Sequence, residues 1–162
     1  MGSPTSASSV GGISWGTGGG GDLNIVVVGW FDTTSTVSSV VDSRGNTYSL
    51  AIGPTSGNVI QQSIYYAKNI LAGNNTVTAN ISQSVNHLGM WVFEYSGIAP
   101  TGVVDREASQ QAPSATQSLS TPTITTTQGN DLLFAGFADS QGNGPSPAPV
   151  TCKKGWTRTS GR

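Results

Sequence analysis

Charge is scarce in this chain. Only 9% of its 162 residues are Asp, Glu, Lys or Arg, and the formal net charge is −1. No basic stripe is therefore on offer to a nucleic-acid backbone or an anionic membrane surface. Cysteine is nearly absent: the single Cys152 excludes an internal disulfide framework and a multi-cysteine zinc site, which leaves stability to packing. No run approaches the ~18 apolar residues of a membrane-spanning helix. No charged stretch followed by an apolar core opens the chain as an export signal either, and Met1-Gly2-Ser3 reads as an appended start.

What the chain has instead is a series of short β-branched and aromatic runs punctuated by Gly, Asn, Asp and Ser. Runs at 23–31, 36–41, 60–70, 76–81, 88–95 and 132–137 predict strands, because such side chains pack well on a pleated surface. The predicted fold is all-β, an antiparallel two-sheet sandwich of jelly-roll or Ig-like type, with one domain over 22–139. Residues 1–21 are Ser/Gly-rich and predict a flexible or weakly ordered segment with a weak strand around 13–15. Residues 140–162 form a basic tail in which Pro145, Pro147 and Pro149 interrupt any ladder; it reads either as a truncated end of the domain, a loop leading into one last short strand at Trp156, or as sequence foreign to the domain.

Alternation assigns faces. The run 23–31 is apolar on both alternating sets, as suits a central strand covered on both sides. At 36–50 the turn residues Asp42-Ser43-Arg44-Gly45-Asn46 predict a hairpin. Gln61, Ser63, Tyr65 and Ala67 make the wetter face of their run, opposite Ile60, Gln62, Ile64 and Tyr66. The expected core is Leu23, Ile25, Val27, Val37, Val41, Ile64, Tyr66, Val77, Ile81, Val92, Phe93, Leu132 and Phe134. A weak echo between the segment opened by Gly21-Asp22-Leu23 and that opened by Asn130-Asp131-Leu132 suggests two equivalent strands.

Several residues could carry chemistry. His87 is the only histidine, with Ser84, Ser96, Asp32 and Asp139 as conceivable triad partners, but no G-x-S-x-G elbow is present and an exposed turn histidine is the plainer reading. Glu94 is the one charge inside an apolar strand. It would serve as the acid of a glycosidase with Asp32 or Asp139 as its partner, or simply face an open sheet or pair with Lys68 or Arg106. Calcium would draw on Asp42 and Asn46, with Asp22, Asp131, Asp105 and Glu107 also available, yet Arg44 sits in the middle of that loop. No other cofactor is implied.

Carbohydrate stacking would use exposed aromatics chosen from Trp15, Trp30, Tyr48, Tyr65, Tyr66, Trp91 and Tyr95. Trp30 and Trp91 fall in core-like runs, and the favoured set is Tyr65 with Gln61 and Asn69, Gln62 lying close in sequence. Asn74-Asn75-Thr76 and Asn80-Ile81-Ser82 match the N-glycosylation pattern at the level expected by chance. Cys152, beside Lys153 and Lys154, reads as an accidentally exposed thiol.

The stretch from Thr36 to Tyr48, followed by Gln62-Ser63-Ile64-Tyr65-Tyr66-Ala67-Lys68-Asn69-Ile70 and Val92-Phe93-Glu94-Tyr95-Ser96-Gly97, resembles a group of uncharacterised bacterial extracellular β-sandwich domains of Ig-like or jelly-roll type. The resemblance spans roughly residues 21–139. Its motifs are structural, so it transfers no catalytic residue. It implies a further strand beyond Gly155-Trp156 and hence a fragment whose open sheet edge would pair with a second copy as a homodimer. Scarce Lys and Glu with abundant Thr, Ser and Asn fits an extracellular or cell-surface setting, any export signal having been removed. The expected function is a non-catalytic module of an exported bacterial protein, serving adhesion, spacing or contact with a polysaccharide or cell-surface component. The rival expectation is a small hydrolase of an ester, lactone or glycoside, acting through Glu94, His87 and an Asp.

Overall fold

A computed structural model describes residues 7–15, 20–111, 120–138 and 145–147. Asp139, Cys152, Lys153, Lys154 and Trp156 lie outside the described residues. The strands are β1 (Ala7–Trp15), β2 (Leu23–Phe31), β3 (Val37–Asp42), β4 (Ser49–Ser56), β5 (Gln61–Ala67), β6 (Asn75–Tyr95), β7 (Gly136–Ala138) and β8 (Pro145–Pro147). Among the described residues the architecture is all-β, an open antiparallel sheet of six strands in the order β1-β6-β2-β5-β4, with β3 also paired to β6, and a small β7-β8 pair. No helix of the described residues is long and apolar enough to cross a membrane.

β6 organises the molecule. Its 21 residues would span roughly 70 Å if straight, at about 3.3 Å per residue, so it must bend to belong to a compact core. The first half lies between β1 and β3, with Ala79 opposite both Val10 and Val40, whereas the second half pairs only with β2, from Leu23↔Tyr95 to Gly29↔Gly89. Between the halves the inward set changes parity. Val77, Ala79, Ile81 and Val85 are buried at odd positions, Met90 and Val92 at even ones, and all six join one cluster with Val26, Val28 and Trp30 of β2. The switch falls at His87, whose φ of 51° lies in the left-handed region, next to a register shift between Gly29 and Phe31. One displaced residue turns every later side chain to the opposite face. That is why 76–81 and 88–95, expected as two strands around a loop, form one.

The expectation for β2 holds on both faces. Val26, Val28 and Trp30 enter the cluster just described, while Leu23 and Ile25 join Tyr95 in a second one, overlaid by Ile98, Val103, Leu132 and Phe134 from the irregular chain after β6. Burying a Val or Leu side chain contributes about 1.5–3 kcal/mol, so β2 anchors both layers of contact.

Four expectations are corrected. Val41 is 48% exposed. A bulge between Val37 and Ser39 breaks the expected alternation, so that Val37 and Val40 pack on the cluster instead. The turn at Asp42–Asn46 forms, with Gly45 N–H donating to Asp42 O at 3.3 Å, but it makes no hairpin: β3 pairs with β6, and β4 pairs with β5. The face of β5 expected to be wetter is the drier one, since Gln61, Ser63 and Ala67 are buried and Tyr65 packs against the Trp30 cluster. The echo between the β2 segment and residues 130–138 does not extend to equivalent strands, for only Gly136–Ala138 of the latter is strand.

Gly53 shows how tightly β4 rides on β5. Its φ is +125°, and a Cβ there would lie 2.8 Å from Ser63 Cα and 2.9 Å from Gln62 O, contacts that backbone atoms cannot relieve by rotation. Strain of about 1–3 kcal/mol for a non-glycine at such a φ adds to that clash. Gly53→Ala should therefore destabilise the fold by about 2–3 kcal/mol, which urea unfolding would measure; an unchanged midpoint would mean that β4 is not held against β5 as described.

Candidate ligand pocket

The acids and the histidine singled out from the sequence do not converge. Asn24 pairs with Glu94 and Phe31 with Asn86, so Glu94 and Asp32 stand at opposite ends of β2, roughly 25 Å apart at about 3.3 Å per residue. Glycosidase carboxyl pairs stand about 5–9.5 Å apart. Asp32 is instead a turn residue: its carboxylate accepts from Thr34 N–H at 2.9 Å, from Ser35 N–H at 3.0 Å, and from both side-chain hydroxyls. These donors, the Ser35 hydroxyl first, hold its carboxyl well below the usual range. His87 is exposed, with its ring 4.9 Å from that of Phe31. Ser96 lies nine residues further along the chain, roughly 30 Å for extended backbone. Among the described residues no hydrogen bond joins His87 to Ser84, Ser96 or Asp32.

Glu94 pairs neither with Lys68 nor with Arg106. Arg106 meets Asp105 at 3.7 Å, and the neighbour of Glu94 is another acid, Asp22. Burial pushes the Glu94 carboxyl up, and the adjacent Asp22 carboxyl pushes it in the same direction. A carboxyl whose folded value exceeds its unfolded one contributes stability below the unfolded value, near 4.3, and loses it as pH rises through the folded one. Asn24 stands directly opposite Glu94 and Asp22 two residues away; a like-charge cross-strand contact costs at most about 1 kcal/mol, so Glu94→Gln should raise Tm at pH 7 by up to about 4 °C and flatten its fall as pH rises from about 4. A lower Tm for this variant would show that the carboxylate serves the fold.

Asp42 and Asn46 form a hub. Asp42 Oδ1 accepts from Arg44 N–H at 3.1 Å and Asn46 N–H at 2.9 Å, while Oδ2 accepts from Asn46 Nδ2 at 2.8 Å, Tyr48 OH at 2.9 Å and Asn75 Nδ2 at 2.8 Å. Asn46 Oδ1 accepts from Leu71 N–H at 2.9 Å, and Asn24 Nδ2 donates to the Tyr48 oxygen at 3.2 Å. Burial raises the Asp42 carboxyl, but the donors from Asn75, Asn46 and Tyr48 outweigh it and the net shift is downward. Burial and the Asp42 carboxylate push the Tyr48 phenol up. Oxygens committed in this way to N–H and O–H donors do not fit a calcium ion, which needs several such oxygens for itself. Among the described residues no three His, Cys, Asp or Glu side chains are grouped as metal ligands.

The expected stacking set is likewise dispersed. Gln61 is buried, Tyr65 is half-buried against the Trp30 cluster, and Asn69 is exposed at a left-handed turn position with φ 52°. Trp30 is fully buried and Trp91 half-buried.

Sequence reasoning missed a cavity. Residues 98–111 and 120–138 cross the face of the sheet carrying Ile25, Ile64 and Tyr66, and enclose about 670 Å³ between themselves and that face, within the roughly 300–1,000 Å³ of small-molecule sites. Two tethers hold this cover. Gln62 Nε2 donates to Gly136 O at 3.0 Å, and Asp105 accepts from Thr127 N–H at 2.6 Å. Thr127, with smaller help from Arg106 and the neighbouring Asp131 carboxyl, holds Asp105 below the usual carboxylate range. The floor is apolar; Gln62 Oε1 and Asp131 Oδ2, and Gln61 Oε1 from the opposite face of β5, are buried with no hydrogen-bond partner. Each such atom costs roughly 1–3 kcal/mol in desolvation. A largely apolar cavity of this size is a common setting for a small-molecule site.

Among the described residues, the fold and this cavity define an all-β antiparallel protein with a loop-covered sheet face. Comparison with protein-family models, curated proteins and solved structures gives no match to this chain.

Proposed function

We propose that the chain is a non-catalytic binding module of an exported bacterial protein that contacts a polysaccharide or a cell-surface component. In this reading its bent sheet makes the two layers of a jelly-roll or Ig-like sandwich. The observation that carries the proposal is the contrast between two places in the molecule. Asp32 and Asp42 are saturated by structural donors, and Glu94 and His87 stand apart, whereas a largely apolar cavity of about 670 Å³ lies under residues 98–111 and 120–138. Binding needs the second feature, and nucleophilic or acid–base catalysis needs the groups that the first has dispersed.

Migration through gels cast with neutral polysaccharides tests the proposal, alongside turnover of chromogenic esters and glycosides by wild type and Glu94→Gln. Retardation by at least one polymer without turnover is the expected result. Turnover abolished by Glu94→Gln would replace the binding module with a hydrolase.

A further inference from the structure

One edge of the sheet carries none of the usual protection. In the order β4-β5-β2-β6 the last place is taken by β6 beyond His87, and among the described residues no strand pairs with residues 88–94 on the side away from β2. In an antiparallel ladder the N–H and C=O of one residue point to the same side and those of the next to the other. Every second residue from Leu88 to Glu94 therefore turns both groups toward an unpaired edge. The other edges are blunted. β4 contains Pro54, which has no N–H, and its register slips on both sides of Ile52. β1 slips twice and β3 once. The register of 89–94 against β2 is unbroken, the stretch 88–94 has no proline and no Lys or Arg, and its one charge, Glu94, stands at the end. A regular apolar edge of this kind is a template for another strand.

We propose that a second copy of this chain covers that edge, β6 pairing with β6 antiparallel about a two-fold axis near Trp91. Such pairing is independent of any polysaccharide contact. The distribution of protected edges selects the occupant. Because β4 blunts the far end of the same sheet, an open edge meets only another open edge, and a two-fold contact of that kind uses up both and stops at two copies. With the axis at Trp91, Val92 falls opposite Met90 of the second copy and Glu94 opposite its Leu88. No like charges then face one another, and the two Glu94 positions lie roughly 20 Å apart along the strand, at about 3.3 Å per residue. Trp91, half-buried within one copy, meets its counterpart at the axis, and cross-strand aromatic pairs stabilise a sheet. The two β4-β5-β2-β6 ladders become one continuous sheet.

The test uses the whole chain over a concentration series reaching the millimolar range. Light scattering should give twice the chain mass at the upper end, falling toward the monomer on dilution. Hydrogen exchange resolved by residue should show alternate amides of 88–94 slow in the concentrated sample and fast in the dilute one, while the amides facing β2 stay slow in both. Trp91→Lys sets two ammonium groups opposite each other at the axis and should raise the dimer dissociation constant at least about ten-fold, with those alternate amides fast at every concentration. If that variant does not fold, the dilution dependence of the wild-type amides decides alone. A monomeric mass throughout would overturn the proposal, and so would edge amides that stay slow on dilution, since the same chain would then be covering them. A mass that climbs past two copies, or a dimer undiminished in Trp91→Lys, would equally overturn it by placing the contact elsewhere.

Discussion

Asp42→Ala should cost about 3–4 kcal/mol, among the largest losses that a half-exposed residue of this chain can produce. The carboxylate collects two backbone N–H groups of its own turn, the Asn46 and Asn75 amides and the Tyr48 hydroxyl. Through Asn75 it ties the turn after β3 to the start of β6, and through Tyr48 and Asn24 it reaches β2. Hydrogen bonds to a charged group are worth about 1.5–3 kcal/mol each, and truncation leaves several donors partly buried without a partner. The losses do not add, because the donors share two oxygens and some regain water. A fall in Tm of roughly 6–15 °C follows for a chain of this size, with Asp42→Asn intermediate because it retains one acceptor. The pH dependence has a definite sign. A carboxyl held below its unfolded value, near 3.9, stabilises above that value and ceases to do so as pH falls through the folded one. The gap between wild type and Asp42→Ala should therefore narrow below pH 4. A gap constant from pH 7 to pH 2.5 would show that the hub acts by packing and not as an ionised acceptor.

The second large effect belongs to Trp30. Its side chain is fully buried at the centre of the cluster shared by β2 and both halves of β6, and replacement of a buried Trp or Phe by Ala costs about 3–5 kcal/mol. Its indole nitrogen has no hydrogen-bond partner. Trp30→Phe removes that orphaned donor together with some volume, so the two changes offset and the net cost should stay below about 1.5 kcal/mol. Equilibrium urea unfolding of the two variants separates these outcomes. Equal losses would mean that the indole nitrogen is satisfied or that the site cannot adjust to the smaller ring.

How much of this was legible in the sequence depends on where alternation survives. β2 was readable because every position from Leu23 to Val28 but one is apolar, and a strand of that kind can only be covered on both sides. The turn at Asp42–Asn46 was readable because Asp, Gly and Asn have local reasons to turn. Its partners were not, since Tyr48, Asn75 and Asn24 are distant in sequence from Asp42 or unremarkable beside it. Single-residue slips at Ser38 and His87 inverted the inferred faces of β3 and joined two strands into one, because a period of two carries no record of a bulge. On β5, Gln61 and Ser63 were read as solvated by polarity, although small or amide side chains tolerate burial near a sheet. The cavity was illegible for another reason: its cover, residues 98–111 and 120–138, has almost no periodicity, and what it encloses is set by tethers such as Gln62 to Gly136 that span 74 residues.

β6 has a mechanical consequence. Because one uninterrupted segment furnishes the middle of the β1–β3 ladder and also the neighbour of β2, neither half of the molecule can come undone while the other persists. Thermal or forced extension should release the chain in one event, with amides at Ala79 and Val92 exchanging with deuterium at a common slow rate.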